Sequence, residues 1–278
     1  MTGDAPSDVP DDLDDTSHRL DAALGERGLA RSRTHAARLI TDGLVTVDGV
    51  GQVKPSHRVR GSQQILVAAT DHYVSRAAHK LNAALDRFDV PVSGRLVLDV
   101  GASTGGFTQV LLERGAEHVI ALDVGHGQLV AVVAMDPRVT KVEGVNARYL
   151  TPQLLTESSG IDRTPTLVVA DLSFIGLATV LPALVETVGV EADFVLLVKP
   201  QFEVGRGGIR EGIVRNVELR RDAVGGVLWA AWDLGLGTAG LMSSPIAGNG
   251  GNLEYLIWLS AAAGGNPTEW LQAIAALA

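Results

Sequence analysis

The sequence predicts an α/β protein built on a doubly wound parallel sheet, with a small α+β domain before it. Short apolar runs alternate with segments of helical periodicity from residue 77 onward, which is typical of βαβ units. A glycine-rich turn directly follows the first of these runs. The first 70 residues carry separate helix and strand patterns and a different balance of charge.

Charge is distributed unevenly along the N-terminal part of the chain. Residues 1–15 contain six Asp and no basic residue, a composition that predicts a disordered acidic leader. Residues 16–70 contain eight Lys and Arg against four Asp and Glu, although the whole chain of 278 residues has a net charge of −9. Basic charge concentrated in one small domain favours a contact with nucleic acid there.

The small domain is expected to contain two helices and several short strands. Residues 18–28 and 32–43 have apolar residues at helical spacing, and Ser32 is the expected N-cap of the second helix. A hairpin turn at Asp48–Gly49 joins two short strands, and a further strand covers residues 65–68.

The second predicted helix carries a basic stripe. Arg31, His35 and Arg38 are spaced i, i+4, i+7, so they fall on one outward face. Such a stripe can bind the phosphates of RNA, but it can also be a solvated helix face, which is the usual meaning of a few arginines. The residues alone leave both interpretations open.

The large domain is predicted to contain seven strands connected by helices. A helical segment over residues 74–88 precedes the strands. Five strands are expected to run parallel, at 96–99, 118–123, 138–145, 166–171 and 193–199. The last two are expected to form an antiparallel pair, at 238–245 and 253–261. Further helices are expected at 106–114, 177–188, 216–234 and 269–277. Right-handed crossovers then give a doubly wound sheet.

The turn after the first strand has the pattern D-x-G-x-x-x-G-G, from Asp99 to Gly106. A strand, a glycine turn and a helix together aim backbone N–H groups and a helix N-terminus at a ligand. The next strand ends in Asp123, whose carboxylate can accept hydrogen bonds from both hydroxyls of a ribose. Because a pyrophosphate needs a tighter glycine turn, the spacing favours a nucleoside cofactor without phosphates, such as S-adenosylmethionine. A turn that binds nothing is the alternative.

Charged residues stand at the ends of several predicted parallel strands. Asp99, Asp123, Asp171 and Lys199 lie at or near such ends, where ligands of doubly wound sheets bind. Glu254 interrupts the apolar run of the last strand. Each of these side chains could simply be solvated, but a carboxylate and an amine on adjacent strand ends favour a functional site.

Composition argues against several classes of protein. The chain has no Cys, so disulfides and thiolate metal sites are excluded, which is compatible with a cytoplasmic location. No apolar run reaches the roughly 18 residues of a membrane span. The acidic N-terminus lacks the basic flank of a signal peptide. Neither a membrane partner nor a metal is therefore expected.

The basic domain resembles the S-four RNA-binding domain, first described in a ribosomal protein. The similarity covers residues 19–67 almost end to end and includes the motifs G-L-x-x-S-R, L-I-x-x-G, V-x-V-D-G and K-P-S. It implies binding to structured RNA. The contact surface of that family corresponds here to Arg31, Ser32, Arg33, Arg38 and Lys54.

The chain from about His18 to Ser260 resembles the TlyA family, once called haemolysins, which joins an S-four domain to an FtsJ-like 2′-O-methyltransferase domain. The motifs that carry this similarity are YVSRAAHKL, DVGASTGGFT, ALDVG, NARYL, ADLSFI, VKPQFE and GNLEY. The resemblance implies a Rossmann-like class I methyltransferase sheet. It divides the chain into a leader, an RNA-binding domain, a linker, a catalytic domain and a tail helix, at 1–15, 16–69, 70–76, 77–262 and 263–278.

The resemblance implies a methyl transfer from S-adenosylmethionine to cytidine in ribosomal RNA, on the large subunit and, as in some members of the family, also on the small subunit. The K-D-K-E tetrad of the family corresponds to Lys80, Asp171, Lys199 and Glu254. The residues expected to hold the cofactor are Asp99, Gly101, Ser103, Gly105, Gly106, Asp123 and Asn146.

The tetrad makes chemical sense for this reaction. A ribose 2′-hydroxyl needs a general base, and the pKa of a lysine, ordinarily about 10.4, must be lowered by burial or by a like charge before its amine can serve. We expect Lys199 to be the base, with Lys80 nearby as the like charge and the two carboxylates as orienting groups. A pore-forming haemolysin and an inactive RNA-binding assembly factor are the alternatives. The sequence does not fix the oligomeric state.

Overall fold

A computed structural model describes residues 17–30, 32–52, 54–67, 72–205 and 212–277. The predicted acidic leader, Arg31 and the last residue of the strand expected at 65–68 lie outside these described residues. Contacts divide the chain into two compact units, the first ending at His72 and the second beginning at Tyr73.

The first unit packs two helices against short antiparallel strands. Its helices are α1 (Leu20–Glu26) and α2 (Arg33–Thr41). Its strands are β1 (His18–Arg19), β2 (Val45–Val47), β3 (Val50–Gln52), β4 (Arg58–Val59) and β5 (Ile65–Val67). Strand β1 pairs with β4, while the other three form a sheet in the order β3-β2-β5.

Local signals in this unit were correctly predicted, apart from one boundary. Ser32 caps α2, since its side chain accepts a hydrogen bond from the His35 N–H at 3.1 Å. Asp48 and Gly49 have φ of 49° and 80°, as a two-residue hairpin turn requires. Helix α1 begins at Leu20 instead of residue 18, because the two residues before it pair with β4.

A buried carboxylate joins the two helices of the first unit. Asp21 in α1 has a side chain only 6% exposed and accepts two hydrogen bonds from Arg19, at 3.0 and 2.9 Å. It also accepts one from Arg33 of α2, at 3.3 Å. The hydrogen bonds from Arg19 are the largest influence and lower the pKa of the Asp21 carboxyl to about 2.

The second unit is a seven-stranded sheet covered by helices. Its strands are β6 (Leu96–Val100), β7 (His118–Asp123), β8 (Val139–Glu143), β9 (Leu167–Ala170), β10 (Asp193–Val198), β11 (Gly237–Ser243) and β12 (Tyr255–Ser260). Its helices are α3 (Ala77–Phe88), α4 (Gly106–Glu113), α5 (Ala131–Ala134), α6 (Pro152–Ser159), α7 (Leu177–Val188), α8 (Pro200–Glu203), α9 (Val217–Asp233) and α10 (Leu271–Ala275).

The sheet order is β11-β12-β10-β9-β6-β7-β8. The pairs from β10 through β8 are parallel, whereas β12 is antiparallel to both of its neighbours. The predicted doubly wound sheet with an antiparallel last pair is therefore confirmed. Apolar residues on both faces explain why it is covered on both sides: in β6, Leu98 and Val100 belong to one buried cluster and Val97 to the other.

Three short helices of the second unit were not predicted from the sequence. Helix α6 has a local signal, because the Thr151 side chain accepts a hydrogen bond from the Leu154 N–H, Pro152 is at its first position and Gly160 follows it with φ of 70°. Helices α5 and α8 have only four residues each, too few to show a periodicity. The tail helix is also divided, with a 3₁₀ turn at Pro267–Trp270 before α10.

No helix in the described parts of the chain combines the length and the apolar character needed to cross a membrane.

Replacing Asp21 with Asn should weaken the first unit. Because the pKa of this carboxyl is lowered to about 2, its charge stabilises the folded state above about pH 4, and this stabilisation is lost as the pH falls toward 2. We expect D21N to lower local stability by about 1–2 kcal/mol at neutral pH. Hydrogen–deuterium exchange of the amides in α1 and α2 measures the loss.

The matched control is Asp42→Asn, since the Asp42 carboxylate lies 3.7 Å from the exposed guanidinium of Arg38. An exposed pair of this kind contributes at most about 0.5 kcal/mol. Equal exchange rates in D21N and wild type would contradict a stabilising role for the Asp21 ion pairs.

Candidate active site

Parallel pairing brings the predicted strand-end residues to one edge of the sheet. Strands β6, β7, β9 and β10 run side by side in the same direction. Asp99 lies in β6 and Asp123 ends β7, while Asp171 and Lys199 directly follow β9 and β10. These side chains therefore meet at the carboxyl edge, where such sheets bind ligands.

The four tetrad residues form two lysine–carboxylate pairs. Lys80 Nζ of α3 lies 2.5 Å from Glu254 Oε2, directly before β12, and the two side chains are 6% and 2% exposed. Lys199 Nζ lies 2.5 Å from Asp171 Oδ1, with side chains 11% and 16% exposed. Each of the two amines thus has a carboxylate partner.

Ser173 is a member of this site that sequence reasoning missed. The Lys199 ammonium donates a hydrogen bond to Ser173 Oγ at 3.1 Å, in addition to its ion pair with Asp171. Two partners from the same loop fix the position of the amine. The motif ADLSFI contains this serine, but the sequence alone does not show that its hydroxyl points toward the end of the neighbouring strand β10.

A cavity of about 480 Å³ contains the tetrad. All four tetrad side chains line it, together with the glycine turn at Gly101–Ser103 and Gly106. A second cavity of about 480 Å³ is lined by Asp123 and Asn146. The two cavities share a wall, consisting of Gly101, Ser103, Asp171, Ser173 and Phe174.

Asp123 shapes the glycine turn as well as the second cavity. Its Oδ2 accepts a hydrogen bond from the Ser103 N–H at 2.8 Å, and its Oδ1 accepts one from the Gly125 N–H at 2.7 Å. A carboxylate has about four acceptor positions, so two remain for a ligand. Asn146 has less hydrogen-bonding capacity left for a ligand, because its side-chain oxygen already accepts a hydrogen bond from the Arg148 N–H at 3.0 Å.

Close packing, which the sequence does not reveal, explains why the turn contains glycines. Gly101 has φ of 82°, and a Cβ there would lie 2.8 Å from the Asp171 carbonyl oxygen. A Cβ on Gly105 would lie 2.8 Å from Leu129, and one on Gly106 would lie 2.9 Å from Ser75. Gly101 and Gly106 also line the first cavity, whereas Gly105 is packed on its neighbours.

Asp99 is fully buried beneath the turn. Its Oδ2 accepts a hydrogen bond from Thr108 Oγ1 at 2.6 Å, and its Oδ1 has no hydrogen-bond partner within the described residues. Burial is the largest influence and raises the pKa of the Asp99 carboxyl to about 7. An unpartnered buried oxygen next to a glycine cradle fits a site that holds a polar ligand.

Two aromatic rings stand at the edge of the shared wall. Phe174 is 92% exposed with φ of 67°, and its ring centroid lies 5.5 Å from that of Phe202. Both residues line the first cavity. An exposed ring on a left-handed backbone is costly for a residue other than glycine, so it points to a functional constraint.

Glu203 fixes the loop that carries these groups. Its Oε1 accepts a hydrogen bond from the Leu177 N–H at 2.6 Å, at the start of α7. Burial raises the pKa of this carboxyl. The contact joins the segment after Lys199 to the segment after Asp171, and sequence reasoning did not single it out.

Of the predicted RNA-contact residues, Ser32, Arg33 and Arg38 lie on or beside α2 and Lys54 lies elsewhere in the first unit, while Arg31 lies outside the described residues. Arg33 and Arg38 have side chains 65% and 59% exposed. Ser32 is exposed at the start of the helix, and Lys54 is exposed in the loop after β3. Arg33 also pairs with Asp21, so it has a structural role as well.

Replacing Asp99 with Asn should change how the stability of the second unit depends on pH. Because the pKa of the Asp99 carboxyl is raised to about 7, ionisation favours the unfolded state as the pH rises from about 4 to 7. An Asn can still accept the hydrogen bond from Thr108 and does not ionise. Without cofactor, D99N should therefore gain stability relative to wild type between pH 5 and pH 8.

Unfolding by urea, followed by tryptophan fluorescence, measures this because all four Trp residues follow Tyr73. The control is Asp86→Asn, since Asp86 is an exposed carboxylate paired with Arg114. The difference in the free energy of unfolding between D86N and wild type should be the same at pH 5 and at pH 8. If the free energy of unfolding of D99N differed from that of wild type by the same amount at pH 5 and at pH 8, the raised pKa of Asp99 would be contradicted.

Comparison with known proteins agrees with this architecture. The sequence model of the FtsJ-like methyltransferase matches residues 73–261, and that of the S4 domain, the S-four domain above, matches residues 18–65. The 16S/23S rRNA (cytidine-2′-O)-methyltransferase TlyA of Mycobacterium tuberculosis is 51% identical over 244 residues, covering 87% of this chain and 89% of that protein.

Two further relatives carry the older name of the family. Hemolysin A of Brachyspira hyodysenteriae is 37% identical, covering 86% of this chain and 98% of that protein. A solved structure of a candidate hemolysin from Streptococcus thermophilus has a TM-score of 0.71 and 37% identity, covering 93% and 94% of the two chains. The order of the two domains and this identity over most of its length show that the chain belongs to the TlyA family.

Proposed function

We propose that this chain transfers a methyl group from S-adenosylmethionine to the ribose 2′-hydroxyl of cytidine in ribosomal RNA. The observation that carries the proposal is the pair of lysine–carboxylate contacts in one cavity, which shares a wall with a second cavity at Asp123. One cavity is suited to the reacting sugar and the other to a nucleoside. This arrangement matches a reaction between two nucleosides.

Both ribosomal subunits are proposed as substrates. The M. tuberculosis relative is named for 16S and 23S rRNA, and it is 51% identical to this chain. Ribosomal subunits are then the partners, and the cytoplasm is the location. Residues 16–69 are assigned to RNA binding, residues 70–76 to the linker and residues 77–262 to catalysis, with a tail at 263–278.

The cavities fit S-adenosylmethionine. The cradle at Gly101, Ser103 and Gly106 supports a polar ligand next to the tetrad, and Asp99, which lines neither cavity, lies buried beneath this cradle with one unpartnered oxygen. Asp123 retains acceptor positions for a ribose, and Asn146 lies in the same cavity. When bound, this cofactor supplies an activated methyl group.

Lys199 is assigned as the general base. Its amine must be neutral when it accepts the proton of the 2′-hydroxyl, and its contacts with Asp171 and Ser173 fix where that proton is received. Lys80 and Glu254 line the same cavity and orient the substrate. Since the methyl donor is already activated, correct positioning supplies much of the rate.

Exposed Phe174 and its neighbour Phe202 are suited to stack on a base that has been turned out of the RNA. Both rings line the cavity that contains the tetrad. We therefore infer a stacking surface beside the reacting sugar.

Replacing Lys199 with Ala should abolish methyl transfer and leave cofactor binding intact. The loss of a general base lowers the rate by about 10²–10⁴-fold. Incorporation of tritium from labelled S-adenosylmethionine into ribosomal subunits measures transfer, and calorimetry measures cofactor affinity. Mass spectrometry of digested rRNA then identifies the methylated nucleotide.

The matched control for this experiment is Lys141→Ala, since Lys141 is an exposed lysine of β8 that pairs with Glu143. This variant should transfer methyl groups at the wild-type rate. A wild-type rate in K199A would assign the base to another group, and no incorporation by wild type into either subunit would contradict the proposed function.

Replacing Arg38 and Lys54 together with Ala should weaken the binding of ribosomal RNA. Both side chains are exposed, so the fold should survive, whereas the loss of two phosphate contacts should reduce the dependence of affinity on salt by about two units of slope. Filter binding over a series of salt concentrations measures this. The control is Arg163→Ala in the second unit, whose guanidinium pairs with Glu117 at 2.9 Å. An unchanged affinity in the double variant would remove these two residues from the RNA-contact surface.

A further inference from the structure

The contact between Lys80 and Glu254 depends on one orientation of the glutamate. The two side chains are 6% and 2% exposed, so water cannot replace a partner that moves away. Their contact, Lys80 Nζ to Glu254 Oε2, is 2.5 Å long. Any group that displaces the Glu254 carboxylate would therefore change the position of both side chains in the cavity.

The backbone of Gly248 lies directly against that carboxylate. A Cβ built on Gly248 would lie 2.5 Å from Glu254 Cδ and closer still to Oε1. Such distances are well below the roughly 3.5–4.0 Å at which carbon atoms make favourable contact. The carboxylate thus occupies the space that any other residue at position 248 would need for its side chain.

The backbone conformation does not explain why this residue is a glycine. Gly248 has φ of −71° and ψ of −174°, an extended conformation that any residue adopts. Gly101 differs, because its φ of 82° favours glycine whatever surrounds it. At position 248 the requirement is space for Glu254.

The turn that carries Gly248 is held on both sides. Its N–H donates to the Asn252 carbonyl at 2.8 Å, and its own carbonyl accepts from the Gly251 N–H at 3.1 Å. The Asn252 side chain accepts from the Val214 N–H at 3.1 Å and donates to the Gly212 carbonyl at 2.9 Å. An added methyl group would therefore move the flexible glutamate and leave the backbone in place.

We propose that Gly248 is a positioning residue for methyl transfer, because the space it leaves holds the Glu254 carboxylate against Lys80. This inference rests on the proposed function for its effect on rate, but its structural part does not. Gly248 also lines the cavity that contains the tetrad, but it has no side chain to place there. It acts through Glu254 alone.

A double-mutant cycle of Gly248→Ala and Glu254→Asp tests the proposal. The single G248A variant should lower the maximal rate of methyl transfer by about 10²-fold, the effect of a misplaced group of roughly 1 Å, with cofactor affinity close to wild type. Its melting temperature should fall, because the buried Lys80 ammonium loses its partner. E254D should also be slow. Because aspartate is one methylene shorter and leaves room for the methyl group, the double variant should be no slower than E254D alone.

The matched control is Gly225→Ala in α9, where a Cβ would meet nothing within 4 Å. This variant should transfer methyl groups at the wild-type rate. A wild-type rate in G248A, or a full further loss when the alanine is added to E254D, would overturn the inference. If Gly248 were needed only to form the turn, adding G248A to E254D would lower the rate of methyl transfer by the same factor as G248A does alone.

A crystal structure of G248A separates this inference from the proposed function. We expect the contact between Lys80 Nζ and the Glu254 carboxylate to be broken in the variant, with the backbone of the turn unchanged. An intact Lys80–Glu254 contact in the variant would refute the inference whatever the enzyme methylates. If wild type methylates no rRNA but the contact is lost in G248A, the proposed function fails and the positioning role of Gly248 stands.

Discussion

The burial of two lysine–carboxylate pairs is the constraint on which the second unit depends. Removing a charged group from water costs several kcal/mol, and a partner offsets this only when the geometry is well fixed. The Lys80–Glu254 pair joins residues 174 positions apart, one in the first helix of the unit and the other before its last strand. The whole sheet must therefore assemble before the pair can form.

The loops that surround these charges are held by hydrogen bonds to other segments of the chain. Asp123 accepts from the Ser103 N–H inside the glycine turn and from the Gly125 N–H in the loop after β7, and Glu203 accepts from the Leu177 N–H at the start of α7. Asn252 fixes the turn before Glu254. Each loop at the carboxyl edge is thus anchored by a polar side chain from a different segment, which preorganises the site.

Much of the fold was predictable because its signals are local. The apolar strands, the cap at Ser32 and the hairpin at Asp48–Gly49 follow from neighbouring residues. Asp171 and Lys199 were singled out as charged residues at strand ends and Glu254 as an interruption of an apolar run, whereas Lys80 was added through the family resemblance, since no spacing in the sequence connects Lys80 with Glu254. Contacts between distant segments were not predictable: Ser173 on Lys199 and Gly248 against Glu254 exist only once the sheet has formed.

The short helices show a second limit on what the sequence predicts, because they contain too few residues to show a periodicity. Helix α8 has four residues and follows a strand directly, so its pattern is too brief to distinguish from a loop. The tail was expected to be one helix, but it begins with a 3₁₀ turn capped by Asn266 and Glu269. Such boundaries depend on caps and packing more than on periodicity.

The wall shared by the two cavities has a thermodynamic consequence. Asp171, Ser173 and Phe174 face both spaces, so a molecule in either one contacts the same loop as a molecule in the other. If one occupant alters the affinity for the second, reciprocity requires that the second alter the affinity for the first by the same factor.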